Sequence, residues 1–128
     1  MAGTGARLRR PSRLRSSRDF KRVSSKGSRR ASRYFILLAV LREGDSEAAG
    51  ARLGVTVSRK VGGAVVRNRV KRRVREWFRR ERSRLEERAD LVVIARPPAA
   101  ELAGQGVARE LQELAAAARL VGVRKETE

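Results

Sequence analysis

Arg67, Asn68, Arg69, Lys71, Arg72, Arg73 and Arg75 are the densest set of chemistry-bearing side chains in the sequence, all within "VVRNRVKRRVREWFRR" (65–80). A guanidinium is a planar fork that binds phosphate through two parallel hydrogen bonds and stacks on bases, so this residue type at this density points to a polyanion. Residues 67–84 carry ten Lys and Arg against only Glu76 and Glu81. Like charges at i, i+4 destabilise an isolated helix by about 0.2–0.5 kcal/mol per pair, and a face shaped only for solubility would mix signs. The cations are too many for one ligand phosphate. An extended polyanion fits them better, and each phosphate contact would make affinity fall with salt.

Other chemistries are poorly supplied. The chain has no Cys and no His, which removes thiolate and imidazole nucleophiles, bases and zinc ligands. Asp19, Asp45 and Asp90 are the only aspartates and stand singly, with no D-x-D or D-x-x-E spacing to build a two-metal nuclease site. "GVTVSRKVGG" lacks the spacing of a phosphate-binding P-loop. No constellation of protein side chains carries catalysis on its own.

The basic stretch reads as a helix launched by Gly62-Gly63 and running to about Glu87. With Val66 as origin, Val70, Val74, Trp77 and Phe78 fall between about 20° and 120° around the axis, a stripe that must be buried. Arg67, Lys71 and Arg75 follow one edge at about 100–180°, and Arg69, Arg72, Arg73 and Arg80 occupy the other side at about 240–340°. Two cationic rows therefore flank an apolar seam.

The seam needs a sheet to cover. "SRYFILLAVLR" (32–42) is a continuous apolar run and predicts a buried strand. "ARLGVTVSRK" (51–60) alternates, with Leu53, Val55 and Val57 on one face and Arg52, Thr56, Ser58 and Lys60 on the other. "DLVVIARPP" (90–98) predicts a third strand, stopped by Pro97 and Pro98. "SSRDFKRVSSKG" predicts a short helix with Ser16 as N-cap, Phe20 and Val23 on one face and Gly27 as its stop. "VARELQELAAAARL" (107–120) predicts a final amphipathic helix. Residues 43–50 read as a polar loop, 1–12 as a flexible basic arm and 121–128 as a frayed tail. Helices packed on a small sheet make an α+β sandwich, one domain over 1–128.

The 128 residues carry 32 Lys and Arg against 14 Asp and Glu, a formal +18. Such a charge opposes compaction and asks for an anionic partner, nucleic acid ahead of a membrane surface. "YFILLAVL" and "LVVIA" are too short to span a bilayer, and the N-terminus has no apolar core of a signal peptide. The expectation is a soluble cytoplasmic protein without a membrane partner. RNA fits better than duplex DNA, because Phe20 beside a half-polar sheet suits an unpaired base.

"GVTVSRKVGGAVVRNRVKRRVREWFR" (54–79) closely resembles the signature of the bacterial ribonuclease P protein family, an R-N-R motif followed by K-R-x-x-R. "RLRSSRDFKRVSSKG" (13–27) resembles that family's first helix and "ADLVVIARPPA" (89–99) the strand after its basic helix. The resemblance implies an αβββαβα fold with about four strands and a left-handed β-α-β crossover, against the usual rule. It also implies a partner of a catalytic RNA subunit, which removes the 5′ leader of precursor tRNA by Mg²⁺-dependent hydrolysis with the metal chemistry in the RNA. By the same resemblance, Arg67, Asn68, Arg69, Lys71, Arg72, Arg73 and Arg75 bind the RNA subunit. Phe20, Lys60, Arg67 and Lys71 belong to a cleft for the leader. The family often has a second aromatic one turn after Phe20, where this chain has Ser24, and Asn where it has Gly63.

The basic helix alone would equally serve a ribosomal or general RNA-binding protein, whereas the two flanking matches favour the first reading. A DNA-binding regulator lacks its helix-turn-helix.

Overall fold

The computed structural model describes residues 13–14, 17–43 and 50–121. The arm at 1–12, the cap at Ser16, most of the 43–50 loop and residues 122–128 lie outside the described residues.

The first helix, α1 (Ser17–Lys26), leads through Gly27 into strand β1 (Ser28–Ala31). A turn follows, in which the Ser32 hydroxyl accepts hydrogen bonds from the Tyr34 and Phe35 amides at 3.1 and 3.2 Å, so the chain reverses into β2 (Phe35–Leu41). Strand β3 (Arg52–Val57), helix α2 (Ala64–Glu81), strand β4 (Ala89–Ala95) and helix α3 (Gly104–Ala117) complete the set. The sheet order is β1-β2-β4-β3, antiparallel except for β3 against β4. That parallel pair joined through α2 is the β-α-β unit of an α+β fold.

The apolar run of β2 and the LVVIA of β4 are buried because helices cover both faces of the sheet. On one face Phe35, Leu37 and Ala39 of β2, Leu91, Val93 and Ala95 of β4 and Leu53 and Val57 of β3 meet α2 and α3. Val70, Val74, Trp77 and Phe78 fill this layer from α2, and Val107, Leu111, Leu114 and Ala115 from α3. Trp77 donates its indole N–H to Gln112 Oε1 at 3.2 Å, so burial leaves its polar edge satisfied. On the other face, α1 lays Val23 against Leu38 and Val92, with Leu14 completing a small second cluster.

Two expectations need correction. α2 stops at Glu81, not near Glu87; a 3₁₀ turn at Arg82–Arg84 redirects the chain so that Leu85 is buried instead of continuing along a charged helix. The strands are shorter than the apolar patterns, since Ser32 starts a turn and Ser58 starts another that ends at Val61. Pro97 and Pro98 do more than stop β4, because they open a 3₁₀ segment, Pro97–Glu101. β1, "SRRA", is exposed along its whole length, so no apolar alternation marks it.

Gly27 is fixed by packing. A Cβ there would stand 2.5 Å from both the Val23 and Ala39 carbonyl oxygens. Gly27→Ala is therefore expected to lower stability by about 1–3 kcal/mol, the usual range for overpacking, measured as a reduced urea midpoint. An unchanged midpoint would mean that the junction of α1 and β1 can move aside.

Candidate nucleic-acid interface

The apolar seam of α2 is buried against the sheet, so its cations are forced to the two edges and the outer surface. Arg67, Lys71 and Arg75 are half-buried along one edge, and Arg69 and Arg73 along the other. Asn68 and Arg72 are exposed between them. The two edges differ chemically. Arg73 donates to the Leu102 carbonyl at 2.6 Å and Arg69 to the Ala100 carbonyl at 3.5 Å, tying that row to the 3₁₀ segment before α3. On the opposite row, among the described residues, only Arg67 has such a tie, donating from Nε to the Gly62 carbonyl at 3.1 Å. The helix enters through Gly63 without a side-chain cap, and a side chain there would meet open space.

Along the Arg75 edge lies a cavity of about 250 Å³, lined by Arg13, Leu14, Phe20, Leu53, Gly54, Val55 and Arg75. Residues 13 and 14 reach it because Leu14 N–H bonds to the Leu53 carbonyl at 3.0 Å, adding the chain before α1 to the outer edge of β3. Phe20 stands with its ring tip on bare backbone, since a Cβ at Gly54 would lie 2.5 Å from Phe20 Cζ. Burial, then the charge of Arg13, lower the pKa of Arg75. Its guanidinium stays protonated, but the fold disfavours the charge and supplies no carboxylate among the described residues. Arg13 Nε is likewise buried without a hydrogen-bond partner there. Two guanidiniums with no carboxylate partner among the described residues, beside one aromatic ring, could hold a phosphate next to a base.

Lys60, Arg67 and Lys71 do not line this cavity. Lys60 is exposed in the turn after β3, its amide bonded to the Ser58 hydroxyl at 3.3 Å. Ser24, one turn beyond Phe20, is exposed. Arg13 was missed by sequence reasoning because nothing in an Arg-rich stretch marks which arginine a strand edge will catch.

A residue-family model described as Ribonuclease P matches residues 8–119. The chain belongs to the Ribonuclease P family. The Ribonuclease P protein component of Bacillus pumilus is 37% identical over 107 residues, covering 84% of this chain and 87% of the relative. The solved Staphylococcus aureus RNase P protein matches with a TM-score of 0.77 at 32% identity, over 87% of this chain and 98% of that one. The Thermotoga maritima RNase P protein matches at 0.71 and 33%, over 86% and 98%. The Ribonuclease P match takes in Phe20, the Arg13–Arg75 cavity and all of α2. It implies an RNA partner, where the cations alone imply only an anionic one. Among the described residues no helix is long and apolar enough to cross a membrane.

The same region holds a feature that reading the aspartates singly did not anticipate. Asp90, at the start of β4, is fully buried and bonded by three arginines. Arg42 Nη1 donates to Oδ1 at 2.6 Å, Arg52 donates from Nε and Nη2 to both oxygens at 2.8 Å, and Arg22 of α1 donates to Oδ2. Burial pushes the carboxyl up, but the bonds from Arg52, Arg22 and Arg42 outweigh it and hold Asp90 below its ordinary value. Asp90 is a structural anion. Among the described residues no cluster of three or more acidic side chains is placed to hold a metal.

Proposed function

We propose that this chain is the protein subunit of a ribonuclease P: it binds a catalytic RNA through α2 and the 5′ leader of precursor tRNA in the cavity at Phe20. The observation that carries the reading is the match over residues 8–119, which takes in both a helix with outward cations and the aromatic that lines the Arg75 cavity. The RNA-subunit set is Arg67, Asn68, Arg69, Lys71, Arg72, Arg73 and Arg75. The leader set is Phe20, Lys60, Arg67 and Lys71, to which the cavity adds Arg13 and Arg75. Hydrolysis of the leader phosphodiester is assigned to Mg²⁺ held by the RNA. The protein contributes affinity and orientation, acting in the cytoplasm.

Reconstitution with a cognate RNA subunit and assay of precursor-tRNA cleavage at low Mg²⁺ tests this. Stimulation by the protein is expected, and its absence defeats the reading. RNA recovered with the purified protein adds a second check, since ribosomal RNA in place of one discrete RNA would favour a ribosomal role. Phe20→Ala is expected to weaken binding of leader-bearing substrate by about five- to tenfold, the low end of one base–aromatic stack. Equal weakening on leaderless substrate would remove Phe20 from the leader site.

A further inference from the structure

Asp90 gathers three arginines from different layers. Arg52 is a β3 residue and its fork takes both carboxylate oxygens. Arg42 follows β2, is buried, and also donates to the Gly50 and Glu87 carbonyls at 2.9 and 3.1 Å. These two fix the carboxylate within the sheet. Arg22 alone reaches it from α1, the helix that carries Phe20.

The strand register shows what that tie does. On the α1 face, Val40, Asp90 and Arg52 form one row across β2, β4 and β3, and Leu38, Val92 and Gly54 form the next. α1 bridges both rows. Arg22 holds Asp90 in the first, while Phe20 rests on Gly54 and Val23 packs on Leu38 and Val92 in the second. Val23 is the only fully buried residue that α1 supplies. Apart from Val23, α1 brings only the half-buried Phe20 to that apolar cluster, a small anchorage for a ten-residue helix. A charge-assisted bond to a fixed carboxylate supplies the second point of attachment that sets rotation and height.

We propose that Arg22 is a positioning residue: through Asp90 it holds α1 so that the Phe20 ring stands on Gly54 as one wall of the leader cavity, and it thereby sets leader affinity without contacting RNA. The proposal rests on the leader reading of that cavity. Gly54 belongs to the same device, because its missing side chain sets how deep the ring can seat.

Arg22→Ala leaves Asp90 paired with Arg42 and Arg52, so the fold is expected to survive. In the reconstituted holoenzyme, Arg22→Ala should raise KM for long-leader precursor tRNA by about three- to tenfold, part of one stacking contact, with kcat retained. With the leader trimmed to a single nucleotide the change should vanish, and affinity for the RNA subunit should be unaltered. Arg22→Lys, which keeps the charge, should recover part of the loss. Gly54→Ala lifts the ring without touching the ion pairs and should reproduce the leader-dependent defect, which keeps the idea testable should Arg22→Ala fold poorly. If Phe20→Ala loses leader affinity while Arg22→Ala and Gly54→Ala do not, the positioning role is wrong and the leader reading stands. Equal losses on both substrates would also overturn positioning. If none of the three responds to the leader, the leader reading itself fails.

Discussion

Asp90→Asn is expected to destabilise the protein by about 3–5 kcal/mol, the range for removing one partner of a buried ion pair. An amide keeps the shape of the side chain but loses the charge and half the acceptor capacity. Arg42, Arg22 and Arg52 would then converge on a neutral amide, with Asp19 beside Arg22 as a more distant anion. Arg42 suffers most, being itself buried. The pH dependence has a definite sign. The folded Asp90 carboxyl titrates below its unfolded value, so its contribution is complete above about pH 4 and is lost as pH falls through the folded value. Wild type should therefore approach the variant on acidification and separate from it towards neutrality. Urea unfolding at neutral and acid pH measures both effects. Equal midpoints at neutral pH would show that the three arginines are held adequately without the carboxylate.

The Asp90 site also marks where the sequence stops being readable. The seam of α2 was legible because Val70, Val74, Trp77 and Phe78 repeat at the helical period, and geometry then dictates where every intervening cation must point. Strands β2, β3 and β4 were legible from apolar runs and alternation. The carboxylate's partners lie at 22, 42 and 52, on three elements, and only the register of β3 and β2 on β4 brings them to residue 90. No local spacing encodes that. β1 escaped because an edge strand exposed on both faces needs no apolar pattern; only the αβββαβα order implied by the family resemblance called for another strand. The end of α2 escaped because the charged composition continues unbroken to Glu87 while the chain turns at Arg82 to bury Leu85. For the candidate site, residue types were enough to single out the α2 cations and Phe20. The pairing of Arg13 with Arg75 required knowing that residue 14 bonds to the edge of β3.

Replacing Arg67, Lys71 and Arg75 together by Ala is expected to weaken binding to the RNA subunit on the order of a hundredfold, at roughly 1 kcal/mol per lost phosphate contact. The dependence of log affinity on log salt should flatten by about two to three units, because each phosphate neutralised by the protein releases about one counterion. These three side chains form the α2 row with fewest internal obligations. Among the described residues only Arg67 of this row donates a side-chain hydrogen bond, through Nε to Gly62. Arg75 is a burden on the free fold, its charge disfavoured by burial and by Arg13. The variant should therefore stay folded, with a near-native unfolding midpoint, while losing RNA. Arg69 and Arg73 offer the contrast. Arg73 in particular is bonded to Leu102 at 2.6 Å, so its removal should lower stability as well as affinity. A salt titration of complex formation beside a melting curve of each free variant separates the two rows. If the triple variant unfolds as readily as Arg73→Ala, the row is structural; if its salt slope matches wild type, these cations do not touch phosphate. Arg75, whose charge burial and Arg13 disfavour in the free fold, is the member of this row that an anion from outside would relieve most.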